Sequence, residues 1–136
     1  MKMQVRAVLT AFQTLVLIMN RRPTLPQAAH YRLARAHKAL QEEAKTAEES
    51  RTKIIMELGH EIQDAEGKLT GNWEVPEKDA EGRETETIKT YRERWGAIAD
   101  AEIEVAVQPM SITIFGDETD GLQAAEILHL GELITD

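Results

Sequence analysis

A mainly α fold of the α+β class follows from three features of the sequence. Helical periodicity runs from Thr24 to Gly59 with a single interruption, shorter helical stripes lie on either side of it, and two-residue alternation sets in after residue 102. The expected architecture is a long antiparallel helical hairpin, coiled-coil-like in its stripe. To it are added a small β element, with strands near 68–75 and 103–115, and a short C-terminal helix. All of this is expected in a single domain covering residues 1–136.

The first helix is expected over 4–19, where Val5, Val8, Leu9, Phe12, Leu15, Val16 and Met19 step three and four apart. Arg21, Arg22 and Pro23 close it, and the short link to Thr24 implies a tight turn into the long helix. That helix is expected over 25–58. Thr24 and Gln27 form a capping pattern around Pro26, and Ala29, Leu33, Ala36, Leu40, Ala44, Ala47, Ile54 and Leu58 make one stripe that only Arg51 interrupts. Gly59 is the expected left-handed terminator. On the solvent side, Lys38 with Glu42, Lys45 with Glu49, Glu49 with Lys53 and Lys53 with Glu57 stand at four-residue spacing, the pattern of a solvated face.

Periodicity fails between His60 and Arg83. A small hairpin is expected there from Lys68-Leu69-Thr70 and Trp73-Glu74-Val75 about a Gly71-Asn72 turn, stopped by Pro76 and followed by a loop over 79–84. Helix returns over 86–100 behind a Thr85 cap, with Ile88, Tyr91, Trp95, Ile98 and Ala99 forming the stripe that should fold against the 47–58 half of the long helix. Ile103, Val105 and Val107, then Met110, Ile112 and Ile114, predict strands at 103–107 and 110–115 joined at Pro109. Asp120 to Gln123 repeats a cap pattern ahead of a short helix over 122–130.

Composition constrains function. Of the 136 residues, 42% are apolar, but 17 of these are alanine, so an isolated copy buries little area along its stripe. A strand lacking an evident neighbour adds to the expectation of a dimer or higher homo-oligomer. There is no cysteine, hence no disulfide, thiolate metal site or cysteine nucleophile. Arg6, Thr10, Gln13 and Thr14 break the apolar run of 5–19, so no membrane span is expected.

Charge is uneven. Seven Lys or Arg and no acid precede Glu42, and the remainder carries nine bases against 24 acids. Within the basic part, Arg21 and Arg22 complement the carbonyl end of the first helix, and Arg32, Arg35 and Lys38 recur three apart near the start of the second. Together they are the candidate anion or phosphate site. The acidic remainder argues against direct nucleic-acid binding on electrostatic grounds. His30 and His37 stand seven apart, about 10 Å along a helix, too far to share a metal. His60, Glu61 and Asp64 lack a second nearby histidine, so no metal is expected, and no cofactor. Neither Ser50 nor Ser111 sits in a glycine-flanked strained turn, and no glycine-rich phosphate loop follows a strand. The chain is therefore not expected to be an enzyme.

The order of motifs, Leu25-Pro26 with Tyr31, Ala34 and Arg35, then Gly67-Lys68-Leu69, Pro76-Glu77, Ile103-Glu104-Val105 and Pro109-Met110-Ser111-Ile112, resembles a family of short uncharacterised proteins of tailed bacteriophages and prophages. The resemblance covers roughly residues 22 to 134. It implies a phage context, with location in the infected bacterial cytoplasm or in the virion, and carries no catalytic residues. Two functions are expected from the whole. The first is an oligomeric protein-interaction factor, either a minor virion or assembly component or a host-directed accessory protein. The alternative is a sequestering protein of anti-defence type that holds a nucleotide or other phosphate ligand on the basic face of 21–38.

Overall fold

The computed structural model describes residues 1–21, 25–116 and 122–135. The elements, in order, are β1 (Lys2–Gln4), α1 (Val5–Arg21), α2 (Gln27–Leu58), β2 (His60–Gln63), β3 (Leu69–Glu74), α3 (Glu86–Ala99), β4 (Glu102–Glu104), β5 (Met110–Ser111), α4 (Ala124–Leu130) and β6 (Ile134–Thr135). Short 3-10 turns occupy Ile112–Phe115 and Gly131–Leu133. The chain is thus mainly α with small strand pairs. Its Cα positions fall into two compact units, Met1–Lys45 with Ala101–Asp136, and Thr46–Asp100; α2 runs from the first into the second. Among the described residues no helix is long and apolar enough to cross a membrane.

In the first unit, the buried side of α1 is Val8, Ala11, Leu15 and Ile18 with Val5, Leu9 and Thr14, so it is turned toward Ala11 and Ile18 from the expected stripe. The buried Thr14 hydroxyl is satisfied by donating to the Thr10 carbonyl at 2.8 Å. Phe12 sits at the margin, stacked on His37 of α2 with ring centroids 4.8 Å apart. His37 thereby contributes packing. From α2 come Ala29, Leu33, Ala36, Leu40 and Ala44, all buried. Val105, Val107, Met110, Phe115, Leu130 and Leu133 complete this core.

The strands of this unit depart from expectation. Lys2–Gln4, of which only Gln4 falls in the expected first helix, pairs antiparallel with β4, Lys2 opposite Glu104 and Met3 opposite Ile103. The pairing extends one step further, Val105 N–H donating to the Met1 carbonyl at 2.8 Å. Met110 and Ser111 run parallel to Ile134 and Thr135. Residues 112–115 close into a 3-10 turn rather than a strand because the Ser111 hydroxyl accepts from the Thr113 amide and starts it. Both short strands find neighbours within the chain, so a partnerless strand no longer argues for a dimer. The last helix begins at Ala124, where Glu126 reaches back to the Gln123 amide at 2.8 Å. Thr24, Asp120 and Gly121, the expected caps, lie outside the described residues.

In the second unit, α2 ends at Leu58 and leads directly into β2, which pairs antiparallel with β3. The expected Gly71-Asn72 turn is instead the middle of β3. Gly71 takes a φ of 80° there, beside the register shift between Glu61 and Gln63. The true turn is Asp64 to Lys68: the Asp64 carboxylate accepts from the amides of Glu66 and Lys68, both at 2.9 Å, and Gly67 supplies a φ of 81°. The same construction recurs fifteen residues on, where Asp79 accepts from Glu81 and Arg83 at 2.9 and 3.0 Å and Gly82 has a φ of 80°. Asp-Ala-Glu-Gly followed by a base is thus a repeated turn unit, and residues 79–84 are a built loop.

Gly59 is not left-handed. Its role is close approach, since a Cβ there would lie 2.1 Å from the Glu74 carbonyl oxygen. Thr85 caps α3, its hydroxyl accepting from the Ile88 amide at 3.0 Å. Ala47, Ile54, Ile88 and Ala99 are the buried residues of this unit. Tyr91 and Trp95 stay half-buried and gather around Arg51, the residue that interrupts the α2 stripe. Its Nε donates to the Tyr91 hydroxyl at 2.9 Å, and its guanidinium carbon lies 5.8 Å from the Trp95 ring centroid. The Tyr91 hydrogen bond raises the guanidinium pKa against the opposing effect of partial burial. None of the four expected lysine–glutamate pairs along α2 closes; Glu57 turns instead to Arg94 of α3 at 2.6 Å. Pairs worth a few tenths of a kcal/mol leave long side chains to the solvent.

Candidate anion-binding groove

Helical spacing decides which bases of α2 can act together. Arg32, Arg35 and Lys38 step by three, so they lie along one flank of the Leu33, Ala36 and Leu40 stripe and cover about 9 Å of axis. Ala36 and Ala39 interleave with them. With no side chain beyond Cβ, these alanines keep the helix surface low between the bases, and a groove of about 890 Å³ opens there.

The rest of the lining is the segment from Glu104 to Gln108 together with Met1 and Met110. Val105, Val107 and Met110 are buried and give the groove an apolar floor, whereas Ala106 and Gln108 are exposed. Among the described residues the lining holds one carboxylate, Glu104, which accepts from the Met1 amino group at 3.1 Å. Among the described residues, no carboxylate lies within ion-pair distance of Arg32, Arg35 or Lys38, although the chain makes ion pairs elsewhere. The only aromatic neighbour among them is Tyr31, whose ring centroid lies 6.0 Å from the Arg35 guanidinium carbon.

The other expected site residues go elsewhere. Arg21 pairs with Glu126, whose side chain is only 9% exposed, and so joins the end of α1 to α4. Arg22 lies outside the described residues. Three bases of the five named from the sequence therefore share the groove. The opposite wall escaped sequence reading: residues 104–108 register there only as an alternating strand, and nothing local to them indicates that α2 lies across from them.

The groove offers two strong fork-shaped donors, one ammonium group and an apolar floor. That set recognises phosphate or carboxylate groups attached to a body with some apolar surface. Among the described residues its lining holds no serine, threonine or histidine. In the second unit, a separate cleft of about 570 Å³ is lined by Ile55, Trp73, Pro76, Ile88 and Tyr91 with Glu74 and Glu77 at hand. Beside it His60 pairs across the hairpin with Glu74 at 3.2 Å.

No protein-family model matches the chain, and no curated protein or solved structure matches it.

Proposed function

We propose that this chain acts by binding rather than catalysis, as a phage-encoded factor that holds an anionic ligand between α2 and the 104–108 segment. The observation that carries this is the set of three bases, Arg32, Arg35 and Lys38, lining one groove without a carboxylate partner among the described residues, in a chain whose formal net charge is −8. Carboxylates outnumber bases by 24 to 16, so three bases without an ion pair to any described residue maintain a positive field where an anion can relieve it. A volume of about 890 Å³ falls in the range of small-molecule sites and exceeds what a single inorganic ion fills.

A second reading, self-association or docking on another protein, is favoured by large apolar side chains at the surface of the first unit. Leu17, Tyr31 and Leu128 are 64%, 62% and 77% exposed. One native mass spectrum of gently purified protein addresses both. A retained anionic adduct that disappears in the Arg32→Ala/Arg35→Ala variant supports the ligand reading, and a dimer or larger species supports association. Bare monomer, with no adduct formed even after incubation with millimolar ATP, contradicts both.

A further inference from the structure

The segment that lines the groove with the three bases continues directly from β4. β4 pairs with β1 through Glu104, and Met1 exchanges hydrogen bonds with Val105, its carbonyl accepting at 2.8 Å and its amino group donating at 3.0 Å. Beyond β4, Ala106, Val107 and Gln108 keep the alternation of exposed and buried side chains that a strand has. Among the described residues, no hydrogen bond reaches the backbone of these three. These three residues line the same groove as Arg32, Arg35 and Lys38.

We infer that the occupant of the groove is an extended acidic peptide segment, added as a strand to the 106–108 edge with its carboxylates on the α2 bases. The inference rests on the anion-groove reading and goes one step further, by naming the ligand. A compact anion would use the bases and leave the peptide groups idle, whereas an extended chain satisfies both sets. The dimensions agree: alternate residues of a strand are about 6.8 Å apart, and the bases are spread over about 9 Å of helix axis, so two successive outward carboxylates reach different bases. Apolar residues between them meet the Val105, Val107 and Met110 floor.

Strand addition has a signature that simple anion binding lacks, because ladder hydrogen bonds alternate. Val105 turns its groups to the edge that Met1 pairs, so Val107 presents its amide on that edge, while Ala106 and Gln108 present theirs on the other. The experiment titrates the full chain with acetyl-Glu-Val-Glu-Val-Glu-Val-amide and follows amide exchange residue by residue. In parallel the same peptide N-methylated at alternate residues, ATP, and an Arg32→Ala/Arg35→Ala variant with unchanged circular dichroism are run.

The expected result is slowed exchange in an alternating pattern, either at Val107 alone or at Ala106 and Gln108 together. Affinity should fall about tenfold or more on N-methylation and again in the double variant. Arginine-dependent ATP binding without peptide binding overturns the peptide assignment and leaves the anion groove standing. Peptide binding with uniform or absent protection of 106–108 also overturns it. Failure of both ATP and the peptide to bind removes the peptide assignment and the groove reading together.

Discussion

Gly59→Ala is expected to unseat the β2–β3 hairpin from the end of α2. An added Cβ would lie 2.1 Å from the Glu74 carbonyl oxygen, 2.8 Å from its carbon and 2.8 Å from the Ile55 carbonyl oxygen, all under the 3.0 Å that real Cβ contacts respect. The Glu74 carbonyl must therefore retreat by about 1 Å. No rotamer change can absorb this, since the opposing atoms are backbone and Glu74 is held in the ladder opposite His60. Overpacking of this kind costs about 1–3 kcal/mol, and the rigid opposition places Gly59→Ala near 2–3 kcal/mol. Gly67→Ala is the control. It meets nothing within 4 Å and carries only the cost of a φ of 81°, about 1 kcal/mol. Equilibrium urea unfolding, with hydrogen exchange on the β3 amides, measures both. A Gly59→Ala loss no larger than that of Gly67→Ala would refute the close-approach account.

Three further outcomes are expected. Glu126→Gln removes the charge that Arg21 meets and weakens the reach back to the Gln123 amide; with the arginine half-exposed, thermal unfolding should show a loss of about 1–2 kcal/mol. Tyr91→Phe deletes the acceptor of Arg51 Nε at a cost of about 0.5–1.5 kcal/mol, and Arg51→Met in the same background should add less than it costs alone, as a double-mutant cycle in urea would report. Hydrogen bonds from Arg94 and Arg92 hold the Glu57 and Glu84 carboxyls below the usual glutamate range. Because these folded values are depressed, their stabilisation is complete above the unfolded value of about 4.3 and is lost as pH falls through the folded values. An acid titration by circular dichroism should be shallower for the Glu57→Gln/Glu84→Gln variant and for wild type in high salt.

The long helix was legible because its stripe is built of regularly spaced Ala and Leu: every expected member from Ala29 to Ile54 is buried. The Thr85 cap was legible for the same local reason, its hydroxyl sitting three residues ahead of the amide it receives. β1 was not. Lys2, Met3 and Gln4 are too few to show a period, and their partner lies about a hundred residues away. β2 was missed because His60, Glu61 and Gln63 are polar, and a strand that buries little has no hydrophobic signature. Gly71-Asn72 looked like a turn, yet the Asp64 carboxylate and Gly67 turn the chain earlier; the repeat of Asp-Ala-Glu-Gly at 64 and 79 is the signal that could have located it. In the groove, the bases were visible from their spacing. Which of them stay unpaired depends on Glu126, 105 residues from Arg21, and no local pattern carries that.

The most direct test of the binding account is isothermal calorimetry with ATP as the probe anion, at about 50 and 200 mM salt, on wild type and on the Arg32→Ala/Arg35→Ala variant. The account predicts saturable binding to wild type that weakens with salt and falls at least tenfold in the variant, since each arginine supplies charge-assisted hydrogen bonds worth about 1.5–3 kcal/mol. Equal affinity in wild type and variant, or no heat beyond dilution at either salt, would contradict it.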